Sequence, residues 1–99
     1  MESKHWTQER TGRNALINLV GEGRVFARFE VDRGHRNGPE VHTITANAII
    51  IITNKATGKL ITKLVARPEQ IKRYYKNGQA PQSLIWAARK NLEKGYNEM

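Results

Sequence analysis

Apolar and polar positions fall into segments of different period along the chain. In residues 4–20 (KHWTQERTGRNALINLV), Trp6, Arg13, Ile17 and Val20 share a face at near-helical spacing, joined by Leu16 and Leu19, with Gly12 in the centre and Gly21 and Gly23 after it. This pattern predicts an N-terminal helix that ends at the last two of those glycines. The next segment, RVFARFEV, alternates strictly: Val25, Ala27, Phe29 and Val31 on one face, Arg24, Phe26, Arg28 and Glu30 on the other. Alternation of that kind is the mark of a half-buried strand. After the turn-forming loop DRGHRNGPE, the stretches VHTIT, AIIIIT and KLITKLVAR are rich in β-branched residues and predict three more strands. The Ile run suggests a central strand covered on both faces.

Punctuation residues set the connections. Asn54-Lys-Ala-Thr-Gly58 predicts a hairpin loop, with Gly58 free to take positive φ. The junction Thr45-Ala-Asn-Ala48 is open to two readings, a tight turn at Asn47 or a bend in one long strand. Pro68 and Pro81 each stand where a helix would begin, at the first position, which tolerates a missing N–H. PEQIKRYY then makes two turns before Asn77-Gly78, and PQSLIWAARKNLEK forms a longer helix whose stripe is Leu84, Ile85, Ala88 and Leu92, closed by Gly95. The expected fold class is α+β: an N-terminal helix, a four-stranded mainly antiparallel sheet, and C-terminal helices packed on one face.

Length and charge narrow the picture. Ninety-nine residues make a single domain, 1–99, with one modest core. Seventeen Lys and Arg against nine Asp and Glu give a net charge of +8, a field that draws polyanions. Nucleic acid is the first candidate partner, ahead of an acidic protein and an anionic membrane. With no cysteine, disulfides, thiol nucleophiles and thiolate metal sites are excluded. The longest aliphatic run, Ala48 to Ile52, is too short for a membrane span, and no signal peptide is expected.

Candidate chemistry concentrates between Asp32 and Tyr75. Lys59, Lys63 and Arg67 differ by even numbers, so a regular strand would place them on one face, roughly 13 Å from one to the next. Lys72, Arg73 and Tyr74 extend that basic patch, and Arg28 adds a cation from the first strand. Tyr74 could stack on an exposed base. His35 lies in the Gly-rich loop, and His42 lies at a strand start in phase with Ile44. A metal-independent ribonuclease needs a base for the 2′-hydroxyl, an acid for the leaving oxygen and a cation at the phosphorane. His35 and His42 suit the first two roles, and Lys63 or Arg67 the third. Lys59, Lys72, Arg73, Tyr74 and Arg28 would bind the nucleic acid. This reading needs no cofactor. A competing cluster, Glu30, Asp32, His35, Glu40 and His42, could hold a divalent metal as in a DNase, although it matches no specific ligand spacing. A non-catalytic nucleic-acid-binding or acidic-protein-binding module is the third reading. His5 has no assigned role.

The stretch EVHTITANAIIIITNKATGKLITKLVARPEQIKRYY resembles the C-terminal nuclease toxin domains of bacterial polymorphic and phage-associated toxins, grouped with the barnase–colicin–RelE-like nucleases. The likeness covers about forty of the ninety-nine residues. It implies a helical N-terminus before a four-stranded antiparallel sheet, metal-free cleavage of RNA (often tRNA), and release from a larger protein. It further implies a cognate immunity protein, for which the positive charge suits an acidic partner, and action in the bacterial cytoplasm. The chain departs from the pattern two positions after His42, where Ile44 stands in place of a hydroxyl.

Overall fold

The computed structural model describes residues 21, 23–34, 36, 38–76 and 79–94. The expected N-terminal helix over 4–20, His5, His35, the Asn77-Gly78 stop and Gly95 lie outside the described residues. Strands β1 (Val25–Val31), β2 (Glu40–Thr45), β3 (Ile49–Asn54) and β4 (Leu60–Val65) form an antiparallel meander in the order β1-β2-β3-β4. Helices α1 (Pro68–Lys72) and α2 (Gln82–Glu93) follow. The α+β class and the antiparallel sheet agree with the sequence pattern.

β3 is central, and its Ile49 and Ile50 are buried, so the continuous Ile run does mark an inner strand. Ile44 and Ile50 on one sheet face cluster with Ala66, with Ile71 of α1, and with Leu84, Ile85 and Ala88 of α2. The junction between β2 and β3 is a tight turn. Ala48 donates to the Thr45 carbonyl at 2.9 Å, and Ile49 donates to Thr45 Oγ1 at 3.2 Å. Ala48 itself sits in the left-handed region, at φ 62°. Neighbouring elements hold it there: Ala66 donates to its carbonyl, and the Asn91 amide from α2 donates to the Asn47 carbonyl at 3.0 Å.

Two register shifts correct the alternation read from the sequence. In β1, Val25 faces Thr45 while Ala27 faces Ile44, so Phe26 is an extra residue. Val25 therefore leaves the half-buried face and is 47% exposed. In β4, Ile52 faces Thr62 while Thr53 faces Leu60, which leaves Ile61 as the extra residue. Leu60 thereby pairs with Thr53, on the face opposite Leu64 and Ile50, and is 55% exposed. Helix boundaries shift as well. Pro68 does open α1, but Pro81 is the cap before α2 and not its first residue, and α1 ends at Lys72, short of the two tyrosines.

Candidate functional site

The meander sorts the chemistry-bearing side chains by sheet face. Across the sheet, Phe29, His42, Ile52 and Thr62 form one row of partners, on the face that carries Ile44 and Ile50. The adjacent row is Arg28, Thr43, Ile51 and Lys63, which points the other way. His42 and Lys63, expected to act together, are therefore on opposite faces, and Arg28 is on the side of Lys63.

The expected stripe of Lys59, Lys63 and Arg67 does not form either. The extra residue Ile61 breaks the phase between Lys59, in the hairpin loop, and Lys63. Arg67 has left the strand altogether and caps α1. Its backbone N–H donates to Gln70 Oε1 at 2.7 Å, while its side chain is exposed. Lys72 is exposed on α1.

What gathers around His42 is a different set. Its ring is fully buried and bonded at both nitrogens. Nε2 lies 2.9 Å from Glu40 Oε1, and Nδ1 lies 2.5 Å from the Tyr74 hydroxyl. An ionised carboxylate only accepts, so Nε2 carries the proton toward Glu40. In the neutral ring, Nδ1 then accepts from the Tyr74 O–H. Glu40 reaches His42 because residues two apart on a strand share a face. Tyr74 arrives from the turn after α1, thirty-two residues later.

Phe29 fixes the tyrosines, with ring centroids 5.3 Å from both Tyr74 and Tyr75. Tyr74 thus packs its ring against Phe29 and turns its hydroxyl to His42. Burial pushes the Tyr74 phenol above its ordinary value of 10.0. Arg33 lowers it, the Glu40 carboxylate raises it, and Arg73 lowers it, so both guanidiniums act on this oxygen.

His42 and Tyr74 line a pocket of about 290 Å³. Val31, Ile50, Ile52 and Leu64 form its apolar wall, and Arg33, Arg73 and Gln70 supply the remaining polar groups. Of the residues singled out in the sequence, the fold brings together His42, Arg73 and Tyr74. It adds Glu40, Arg33 and Gln70, which the sequence reading assigned no part in RNA chemistry. The Glu40-Val41-His42 spacing was a usable signal for the first of these. Nothing local pointed to the other two.

The acidic cluster considered for a metal is dispersed. Glu30 pairs with Lys55 at 2.8 Å, Asp32 accepts from the Gly34 N–H at 2.9 Å, and Glu40 is engaged by His42. Among the described residues, no group of three or more His, Asp or Glu side chains is placed to hold a metal ion. Nor is any helix among them long and apolar enough to cross a membrane. Comparison of the chain with family models, with characterised proteins and with solved structures returns no match.

Proposed function

We propose that this domain cleaves RNA without a metal, at the pocket where the Glu40–His42–Tyr74 chain opens between Arg33 and Arg73. The observation that carries this reading is the hydrogen-bonded chain itself: a buried imidazole, one nitrogen held by a carboxylate, the other by a phenol that lines a cationic pocket. Such a chain moves a proton through the hydroxyl it orients. A 2′-hydroxyl of RNA gives its proton to the Tyr74 oxygen as the Tyr74 proton passes to His42 Nδ1. Glu40 stabilises the imidazolium that results. The 2′-oxygen attacks phosphorus, the 5′-oxygen departs, and a 2′,3′-cyclic phosphate remains. Arg33 and Arg73 neutralise the charge that builds on the phosphorane oxygens. Donation of a proton to the leaving oxygen is assigned to His35, two residues after Arg33. His42 is buried and so acts as a positioning and proton-storing residue, with Tyr74 as the group that meets substrate.

The toxin-like resemblance is consistent with this activity, and an acidic inhibitor would find its cations at the rim of the same pocket. The test is incubation of the purified domain with tRNA, total RNA and plasmid DNA, with and without chelator. Cleavage of RNA in chelator, leaving cyclic-phosphate and 5′-hydroxyl ends, is expected. Activity confined to DNA and restored by Mg²⁺ after chelation would overturn the reading in favour of a metal-dependent DNase. Tight, salt-sensitive binding without turnover would reduce the domain to a binding module.

A further inference from the structure

Away from the pocket, the outer side of α2 carries a feature that the proposed chemistry does not use. The apolar stripe of α2 (Leu84, Ile85 and Ala88) clusters with Ile71 of α1, and no residue of α2 lines the pocket. On the opposite side Trp86 is 62% exposed, more than any other large apolar side chain among the described residues. Lys90, one turn on, holds its Nζ 3.9 Å from the centre of the Trp86 ring. The other neighbours at helical spacing, Gln82, Ser83 and Arg89, are polar and exposed. Glu93 is the acid on this side, about 10 Å along the helix from Trp86. The partly exposed Leu92 lies about 120° round the helix. Trp86 is thus a single flat aromatic surface in a cationic surround.

We propose, on the reading of this domain as RNA-directed, that the outer side of α2 is a second contact for single-stranded RNA. One unpaired base stacks on Trp86, and the phosphates flanking it lie on Lys90 and Arg89. The surroundings of Trp86 select this occupant over an acidic protein. A protein partner buries a contiguous apolar core inside a polar rim. Trp86 has only polar and charged neighbours one turn away on its side of the helix, so no such core can be built there. A base needs one π surface, and its phosphates need cations beside that surface. Trp86 and Lys90 supply both, and the net charge of +8 draws the same polyanion. Because every base has a π face, the contact tolerates any sequence. It anchors the strand while the pocket acts on one linkage.

Fluorescence anisotropy of a labelled 2′-O-methyl RNA about ten nucleotides long tests this, since the blocked 2′-oxygen keeps the strand intact during titration. Trp86→Ala should weaken binding by about fivefold to 150-fold, the worth of one stacked base, and Trp86→Phe should keep most of the affinity. Trp86 lies on the exposed side of α2, so both variants should retain the wild-type amide spectrum away from that helix. Lys90→Gln keeps the length of the side chain and removes its charge, and should lower the log–log salt slope of binding by about 0.7. Wild-type affinity in Trp86→Ala, or an unchanged salt slope in Lys90→Gln, would overturn the inference. So would a loss in Trp86→Ala as large for poly-L-glutamate as for RNA, which would assign this side of α2 to an acidic polypeptide. Trp86-dependent binding by a domain that cleaves no RNA would refute the catalytic reading and leave this one standing. RNA cleavage by a domain whose binding ignores Trp86 would do the reverse.

Discussion

At Tyr74 the ring is packed on Phe29 and the hydroxyl is bonded to His42, so Tyr74→Phe removes one oxygen and leaves the packing in place. That change leaves His42 Nδ1 without a donor in a buried setting and should lower stability by about 1–3 kcal/mol in denaturant unfolding. RNA cleavage should fall about 10²- to 10⁴-fold, the usual span for a lost proton-transfer group. His42→Ala leaves a cavity as well as two unpaired polar groups. It should cost more stability than Tyr74→Phe, a consequence of burial that a strand-end surface histidine would not show. Burial also raises both Tyr74 and Tyr75 above 10.0. The folded state holds these protons to higher pH than the unfolded chain does. Their contribution to stability is thus complete below about pH 10 and is lost as pH rises through the folded-state values. Unfolding free energy measured from neutral to strongly alkaline pH should decline above pH 10, and the decline should be shallower in Tyr74→Phe.

At the scale of single elements, the two extra residues Phe26 and Ile61 decide which side chains meet. Both fall on the outer strands, where a bulge increases twist and makes a strand edge harder to pair with another chain. A strict two-residue period was the right guide to the existence of β1 and β4 and the wrong guide to the facing of Val25, Lys59 and Leu60. A bulge is set by its cross-strand partner, and the pattern along one strand does not report it. Lys63, on the sheet face opposite His42, is accordingly expected to matter little for cleavage: Lys63→Ala should stay within about threefold of wild type in rate, since Lys63 does not line the pocket. Turn chemistry was more legible. Gly58 has φ +73° with open space around its missing Cβ, so Gly58→Ala meets only the backbone penalty. A loss of roughly 1 kcal/mol in unfolding free energy is expected from placing an L-residue in that conformation. Ala48 lies in the same left-handed region, and the sequence around it left a bend and a turn equally open.

Over the whole molecule, class and the inner position of the Ile strand could be read from periodicity, because each is a local pattern summed over the chain. The site could not, because its decisive pair is His42 and Tyr74, separated by two strands and a helix. The net charge of +8 leads to the expectation of a polyanionic partner, and the fold decides which cations reach the pocket. Arg33 and Arg73 stand at the pocket while Lys63 and Arg28 are turned away. Replacing Arg33 or Arg73 by Ala should therefore slow cleavage by about 10²–10³-fold if each stabilises the phosphorane. Each should also reduce the salt dependence of single-stranded RNA binding by about 0.7 in the log–log slope.

The proposed proton path runs through the Tyr74 hydroxyl. Cleavage of a short single-stranded RNA in excess chelator, compared between wild type and Tyr74→Phe at equal folded fraction, measures it. The prediction is a wild-type reaction that yields 2′,3′-cyclic phosphate ends and a variant slowed at least about 100-fold. A variant that cleaves as fast as the wild type would contradict it.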